Sequence, residues 1–147
     1  MPGLTTKFKD IRLTDLPEVG GKNASLGEMF NQLQEKGIRI PDGFATTAKA
    51  FWLFLDENSL RQPLEKLMAT LDKKMFSNLK ETGSAARNLI LQAVLPEELK
   101  TAILSEFRLL NRKENAAFAV RSSATAEDLP QASFAGQHES FLNIQGE

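Results

Sequence analysis

The sequence predicts an α+β fold, with several helices around a small, mostly antiparallel sheet. Three observations carry this. Apolar residues recur at helical spacing through the middle of the chain, from about residue 47 to 111. Two short apolar runs near the C-terminal end, Ala117 to Val120 and Phe141 to Ile144, read as strands on either side of a polar loop. Gly37, Pro63 and Pro96 stand where helices should end or begin.

Composition narrows the classes. A chain of 147 residues is the size of one domain and long enough to bury a core. Its 41% hydrophobic and 25% charged residues are ordinary for a globular protein. The net charge of -1 argues against nucleic acid or an anionic membrane as the main partner, since both favour a basic excess. Cysteine is absent, which excludes a disulfide scaffold, a thiolate zinc site and a cysteine nucleophile. Lys7, Lys9, Asp10, Arg12 and Asp15 leave no room for a secretory apolar segment, and runs such as Phe51 to Leu55 are too short to span a bilayer. The expectation is a soluble, cytoplasmic domain.

In chain order, residues 1 to 19 form a polar lead-in with a short extended piece at Phe8 to Leu13. A helix follows, because Leu26, Met29, Phe30 and Leu33 fall at i, i+3, i+4 and i+7. Asn23 is its expected N-cap and Gly37 its C-terminal stop. Ile38 to Thr46 reads as a turn and a short strand. Thr46 or Thr47 caps the next helix, with Ala48, Phe51, Trp52 and Leu55 as its apolar face. Pro63 opens a helix carrying Leu64, Leu67, Met68 and Leu71. Another is expected from about Phe76 to Ala93, weakened by Gly83. Pro96 opens the last, with Leu99, Ile103, Phe107 and Leu110 on one face. Ala117 to Val120 is then expected as a buried strand.

Two stretches look built to hold phosphate. Val19-Gly20-Gly21-Lys22-Asn23 precedes a helix N-terminus, where backbone N–H groups and the helix dipole favour an anion. It is not a P-loop: Leu16 stands in place of the first glycine and Asn23 in place of the magnesium-binding hydroxyl. On local physics a tight turn with a solvated lysine is an equal reading. The second stretch places Arg121 at a strand end, follows it with Ser122, Ser123 and Thr125, and reaches Gly136, where a backbone without a side chain can approach an anion. Glu127 and Asp128 make a thin magnesium site, and a turn with Pro130 is the plainer reading. His138 has no triad around it and reads as a strand-end histidine without special role.

Taken together, these stretches resemble a known family. Val-Gly-Gly-Lys-Asn-Ala-Ser-Leu-Gly-Glu-Met (19 to 29), Pro-Asp-Gly-Phe-Ala-Thr-Thr-Ala (41 to 48) and Phe-Ala-Val-Arg-Ser-Ser-Ala-Thr-Ala-Glu-Asp-Leu-Pro (118 to 130) are similar to the N-terminus of the phosphoenolpyruvate synthase (pyruvate, water dikinase) family. So are Ala-Ser-Phe-Ala-Gly-Gln (132 to 137), Glu139 and Phe-Leu-Asn (141 to 143). The resemblance implies that residues 1–147 are the incomplete N-terminal part of an ATP-grasp nucleotide-binding module. It further implies that Lys22 and Arg121 contact the ATP phosphates, and that Gly136 and Ser140 touch the nucleotide. The implied cofactors are ATP and Mg²⁺, with metal ligands outside this chain. The implied partners are a phosphohistidine domain and a pyruvate-binding domain, which in that family follow in the same polypeptide. Together they turn pyruvate, ATP and water into phosphoenolpyruvate, AMP and phosphate. Two alternatives stand beside this: a rifampin-phosphotransferase-like dikinase with the same module, and a non-catalytic truncated interaction domain.

Overall fold

The structure, a computed structural model, describes residues 3–111, 116–126 and 139–146. Strand β1 (Thr5–Lys7) pairs antiparallel with β2 (Phe44–Thr46), Thr5 opposite Thr46 and Lys7 opposite Phe44. Strand β3 (Phe118–Arg121) pairs antiparallel with β4 (Ser140–Ile144). In chain order α1 (Leu16–Val19) and α2 (Gly21–Gln34) fall between β1 and β2, and α3 (Ala48–Glu57), α4 (Arg61–Ala69), α5 (Leu79–Leu91) and α6 (Glu97–Leu110) fall between β2 and β3. The class is α+β, as expected. The single small sheet is not: among the described residues there are two separate two-stranded sheets. Strands of three to five residues carry too little pattern to say which pairs with which.

The N-terminal segment corrects the sequence reading. The extended piece is Thr5–Lys7, and the chain then tightens into short 3-10 turns at Phe8–Asp10 and Leu13–Asp15. The Arg12 amide donates to Asp15 Oδ2 at 2.8 Å and closes the second turn. These turns lie on α2. The Asn31 side-chain amide, one turn along from Gly27, reaches the Gly27 carbonyl at 2.7 Å and the Ile11 carbonyl at 3.2 Å. Gly27 is required there, because a Cβ would sit 2.7 Å from Ile11 Cγ2.

The helices begin and end for identifiable reasons. Helix α2 closes at Gly37, where φ is +76°; the Ile38 amide donates to Leu33 O and the Gly37 amide to Gln34 O, both at 3.1 Å. Thr47 caps α3, accepting from the Ala50 amide at 3.4 Å while its hydroxyl donates to Gly3 O at 2.9 Å. Pro63 lies in the first turn of α4 and Pro96 is the N-cap of α6, as the punctuation suggests. Helix α5 is shorter than its expected span because residues 72–78 form a closed loop. There the Asp72 carboxylate accepts from the amides of Lys74 and Met75 at 3.0 and 3.1 Å and from the Ser77 hydroxyl at 2.8 Å.

Two buried clusters organise the packing. Ile11, Val19, Ala24 and Ala45 form one, with Phe8 and Leu16 against it, and it joins β2 to the start of α2. Leu4, Ala50 and Leu99 form the other, with Leu53, Phe54, Ala102 and Ile103 around them. Burying a leucine such as Leu99 stabilises by about 1.5–3 kcal/mol. The expected inner face of α3 is only partly right. Leu55 is buried, but Phe51 and Trp52 are 51% and 47% exposed. Five consecutive apolar residues cannot all face inward on one helix. The Trp52 ring is covered instead by the Arg61 guanidinium, 4.4 Å from its centroid, which Asp56 holds at 2.6 Å. Met29 and Met68 likewise lie outward.

Strand β3 also departs from expectation, being present but not buried: Val120 is 51% exposed. Its pairing with β4 slips by one residue between Phe118 and Val120. Asn143, in the left-handed region at φ +58°, absorbs the extra residue of β4. Phe118 anchors the ribbon to the helices, its ring 4.8 Å from that of Phe107 on α6.

Candidate functional site

Gly20 is the joint between α1 and α2. It is at once the C-cap of one and the N-cap of the other, with φ 79° and ψ 161°, a conformation essentially restricted to glycine. Helix α2 therefore starts three residues earlier than expected. Gly21 is its first residue, Lys22 its second, and Asn23 is not the N-cap. The Asn23 side chain instead donates back to the Val19 carbonyl at 2.8 Å. The first intrahelical bond runs from the Ala24 amide to Gly20 O at 3.0 Å, so the amides ahead of it point out of the helix end. No acidic side chain belongs to that first turn, whose end is the positive pole of the helix dipole.

The exit of β3 lies against this joint. Ser123 donates its hydroxyl proton to Val19 O at 3.2 Å across 104 positions of sequence. A Cβ on Gly20 would lie 2.8 Å from the Ala124 carbonyl oxygen, so the missing side chain is what lets the two segments touch. The two glycine- and serine-marked stretches are thus in contact. Lys22, half-buried, follows the contact on one side, and Arg121, exposed, precedes it on the other.

Arg121 closes β3 directly opposite Ser140, the first residue of β4. The Ser122 amide donates to Glu139 O at 3.3 Å and continues the pairing. Two of the four expected site residues are therefore cross-strand neighbours, and a third lies two residues from the Gly20 joint. Gly136, the fourth, lies outside the described residues, as do Glu127, Asp128 and His138. So does most of the stretch 124 to 138 that links β3 to β4. Among the described residues no three of His, Cys, Asp and Glu gather in a group that could hold a metal ion. No helix among them is long and apolar enough to cross a membrane.

Sequence reasoning missed Ser123. It stood in a run of hydroxyls with no signal to separate it from Ser122 or Thr125, and its partner is a backbone carbonyl, which no side-chain pattern reveals.

Residues 16–147 match the family model described as "Pyruvate phosphate dikinase, AMP/ATP-binding domain". The chain belongs to that family. The match takes in the Gly20 joint, both cations and both strands of the β3–β4 ribbon. Among curated proteins, the chain is 49% identical over 142 residues to the phosphoenolpyruvate synthase of Neisseria meningitidis serogroup B. It is 46% identical over 140 residues to that of Escherichia coli K12. Each comparison covers 95% of this chain and 18% of the relative. With a probable phosphoenolpyruvate synthase of Staphylothermus marinus the identity is 40% over 143 residues, 94% of this chain and 17% of the relative. This member of the pyruvate phosphate dikinase AMP/ATP-binding family thus spans less than a fifth of the length of these curated relatives.

Proposed function

We propose that this chain is the phosphate-holding part of the ATP site of a phosphoenolpyruvate synthase, built as the first portion of an ATP-grasp module. Lys22 and Arg121 clamp the nucleotide phosphates, and Ser140 and Gly136 complete the contacts. The observation that carries this is the packing of Ser123 and Ala124 onto Gly20, which puts the two cation-bearing segments side by side. The start of α2 adds amides and a dipole of the right sign.

The work assigned to these residues is electrostatic and geometric. An arginine offers a planar fork to phosphate oxygens, and a lysine a point charge at the helix end. Neither exchanges a proton with the substrate. In a phosphoenolpyruvate synthase the phosphoryl group passes to a histidine on another domain and then to pyruvate, leaving AMP and phosphate. That histidine is not His138. Mg²⁺ would supply charge neutralisation on the phosphates when bound, with its ligands expected outside this chain. The high identity to proteins named phosphoenolpyruvate synthase favours this reading over a rifampin-directed one.

Two cations each contribute about 1.5–3 kcal/mol to holding phosphate. Together they give about 3–6 kcal/mol before any ordering cost, which corresponds to millimolar affinity or modestly tighter. The test is an amide-resonance titration of the chain with ATP and magnesium. Shifts should cluster at residues 20–24, 121–125 and 139–141. Absence of any response up to high millimolar ATP would end the proposal.

A further inference from the structure

The carbonyl of Val19 is where three parts of the chain meet. It ends α1, accepts from Asn23 in the first turn of α2 at 2.8 Å, and accepts from Ser123 beyond β3 at 3.2 Å. A carbonyl oxygen has two lone pairs, and both are engaged here. Val19 is buried and Ser123 half-buried, so solvent competes little for this bond. The ribbon has a second anchor at the opposite end of β3, where Phe118 rests on Phe107. Arg121 lies between the two anchors and closer in sequence to Ser123. Lys22 lies between Val19 and Asn23, inside the segment that the other bond to the same carbonyl closes.

We infer that Ser123 is a positioning residue: through the Val19 carbonyl its hydroxyl sets the spacing between the segments carrying Lys22 and Arg121, without touching the nucleotide itself. The inference rests on the phosphate-clamp reading above. Two cations on segments free to move must be ordered when the ligand arrives, and that ordering opposes binding. A fixed spacing removes the cost beforehand. The hydroxyl is also dispensable to the fold. Without it Val19 O still accepts from Asn23, so no buried acceptor is stranded, and Phe118 still holds the ribbon to α6. What is lost is direction.

The experiment uses Ser123→Ala in the full chain. Because the protein has no cysteine, two introduced ones give unique labelling sites. Spin labels at Gln34→Cys, exposed at the end of α2, and Val120→Cys, exposed on β3, report the distance distribution between the two segments. In Ser123→Ala the distribution should widen by about twofold. ATP affinity, measured on the chain without labels and well below the melting temperature, should fall by about 3- to 10-fold, the range of one lost hydrogen bond. An unchanged width overturns the inference. A widened distribution with ATP affinity intact overturns it equally, since the spacing would then be irrelevant to the ligand. If the unsubstituted chain gives no ATP response, the phosphate reading fails separately, and the width still decides whether Ser123 sets the spacing.

Discussion

Gly20 and Gly27 each lack a side chain for a different neighbour: the first admits the β3 exit, the second admits Ile11. In an isolated helix Gly27→Ala would be favourable by about 1 kcal/mol. Here the new methyl meets Ile11 Cγ2 at 2.7 Å and the Ile11 carbonyl at 2.9 Å. Ile11 is fully buried and has nowhere to retreat. Overpacking of this kind costs about 1–3 kcal/mol and outweighs the propensity gain. Urea denaturation should therefore show Gly27→Ala less stable by about 1–2 kcal/mol; a gain in stability would contradict the close approach. Arg121 makes the opposite prediction. It is exposed at a strand end, so Arg121→Ala should leave the unfolding midpoint within experimental error. ATP binding should weaken about tenfold or more, from the loss of one charge-assisted contact. A variant that binds ATP as well as the original chain would remove Arg121 from the site.

Elements differ in how they are fixed, and one is fixed by a carboxylate. The loop before α5 hangs on Asp72, whose acidity the Ser77 hydroxyl bond raises most, followed by the amides of Met75 and Lys74, so its pKa lies below the ordinary 3.8. A depressed folded pKa means the charged form stabilises the loop. That contribution is complete above the unfolded value and is lost as pH falls through the folded one. Amide exchange at Lys74 and Met75 should accelerate on acidification below about pH 4 relative to the intrinsic rate, and Asp72→Asn should abolish the pH dependence. A profile in Asp72→Asn like that of the original chain would dismiss the carboxylate as the cause. This loop also shows where the sequence stops being legible. Helix periodicity found α2 to α6, because each has a run of apolar residues at the right spacing or a proline at its start. It overran the beginning of α5, since Phe76 and Leu79 continue the apolar pattern while Asp72 and Asn78 hold a non-helical backbone. Asn78 accepts from the Asp72 amide and donates to Thr70 O, both at 2.8 Å, and Phe76 sits at φ +51°. The candidate site was legible in part, from Gly20, Lys22 and Arg121 in their motifs. Its joint was not, because a serine hydroxyl meeting a backbone carbonyl leaves no periodic trace.

At the scale of the whole molecule, the chain corresponds to 18% of the Neisseria and Escherichia relatives. On the proposed reading, the phosphate clamp is here while the phosphohistidine and pyruvate sites belong to other parts of such an enzyme. The purified chain given ATP, magnesium and pyruvate should release no pyruvate-dependent AMP. Sustained AMP release would require a complete catalytic apparatus within these residues and would overturn the division of labour.

The β3–β4 ribbon has a consequence for handling the protein. Val120, Phe141, Leu142 and Ile144 are between 40% and 61% exposed. No lysine falls within either strand. Side-by-side strands with exposed apolar side chains are templates for edgewise stacking, and natural ribbons blunt them with charge, which within these two strands only Arg121 supplies. Light scattering of the chain should therefore rise steeply with concentration, and Val120→Lys should postpone clouding without changing the helical signal. On the proposed reading, the same ribbon that carries Arg121 to its ligand also sets the protein's colloidal limit.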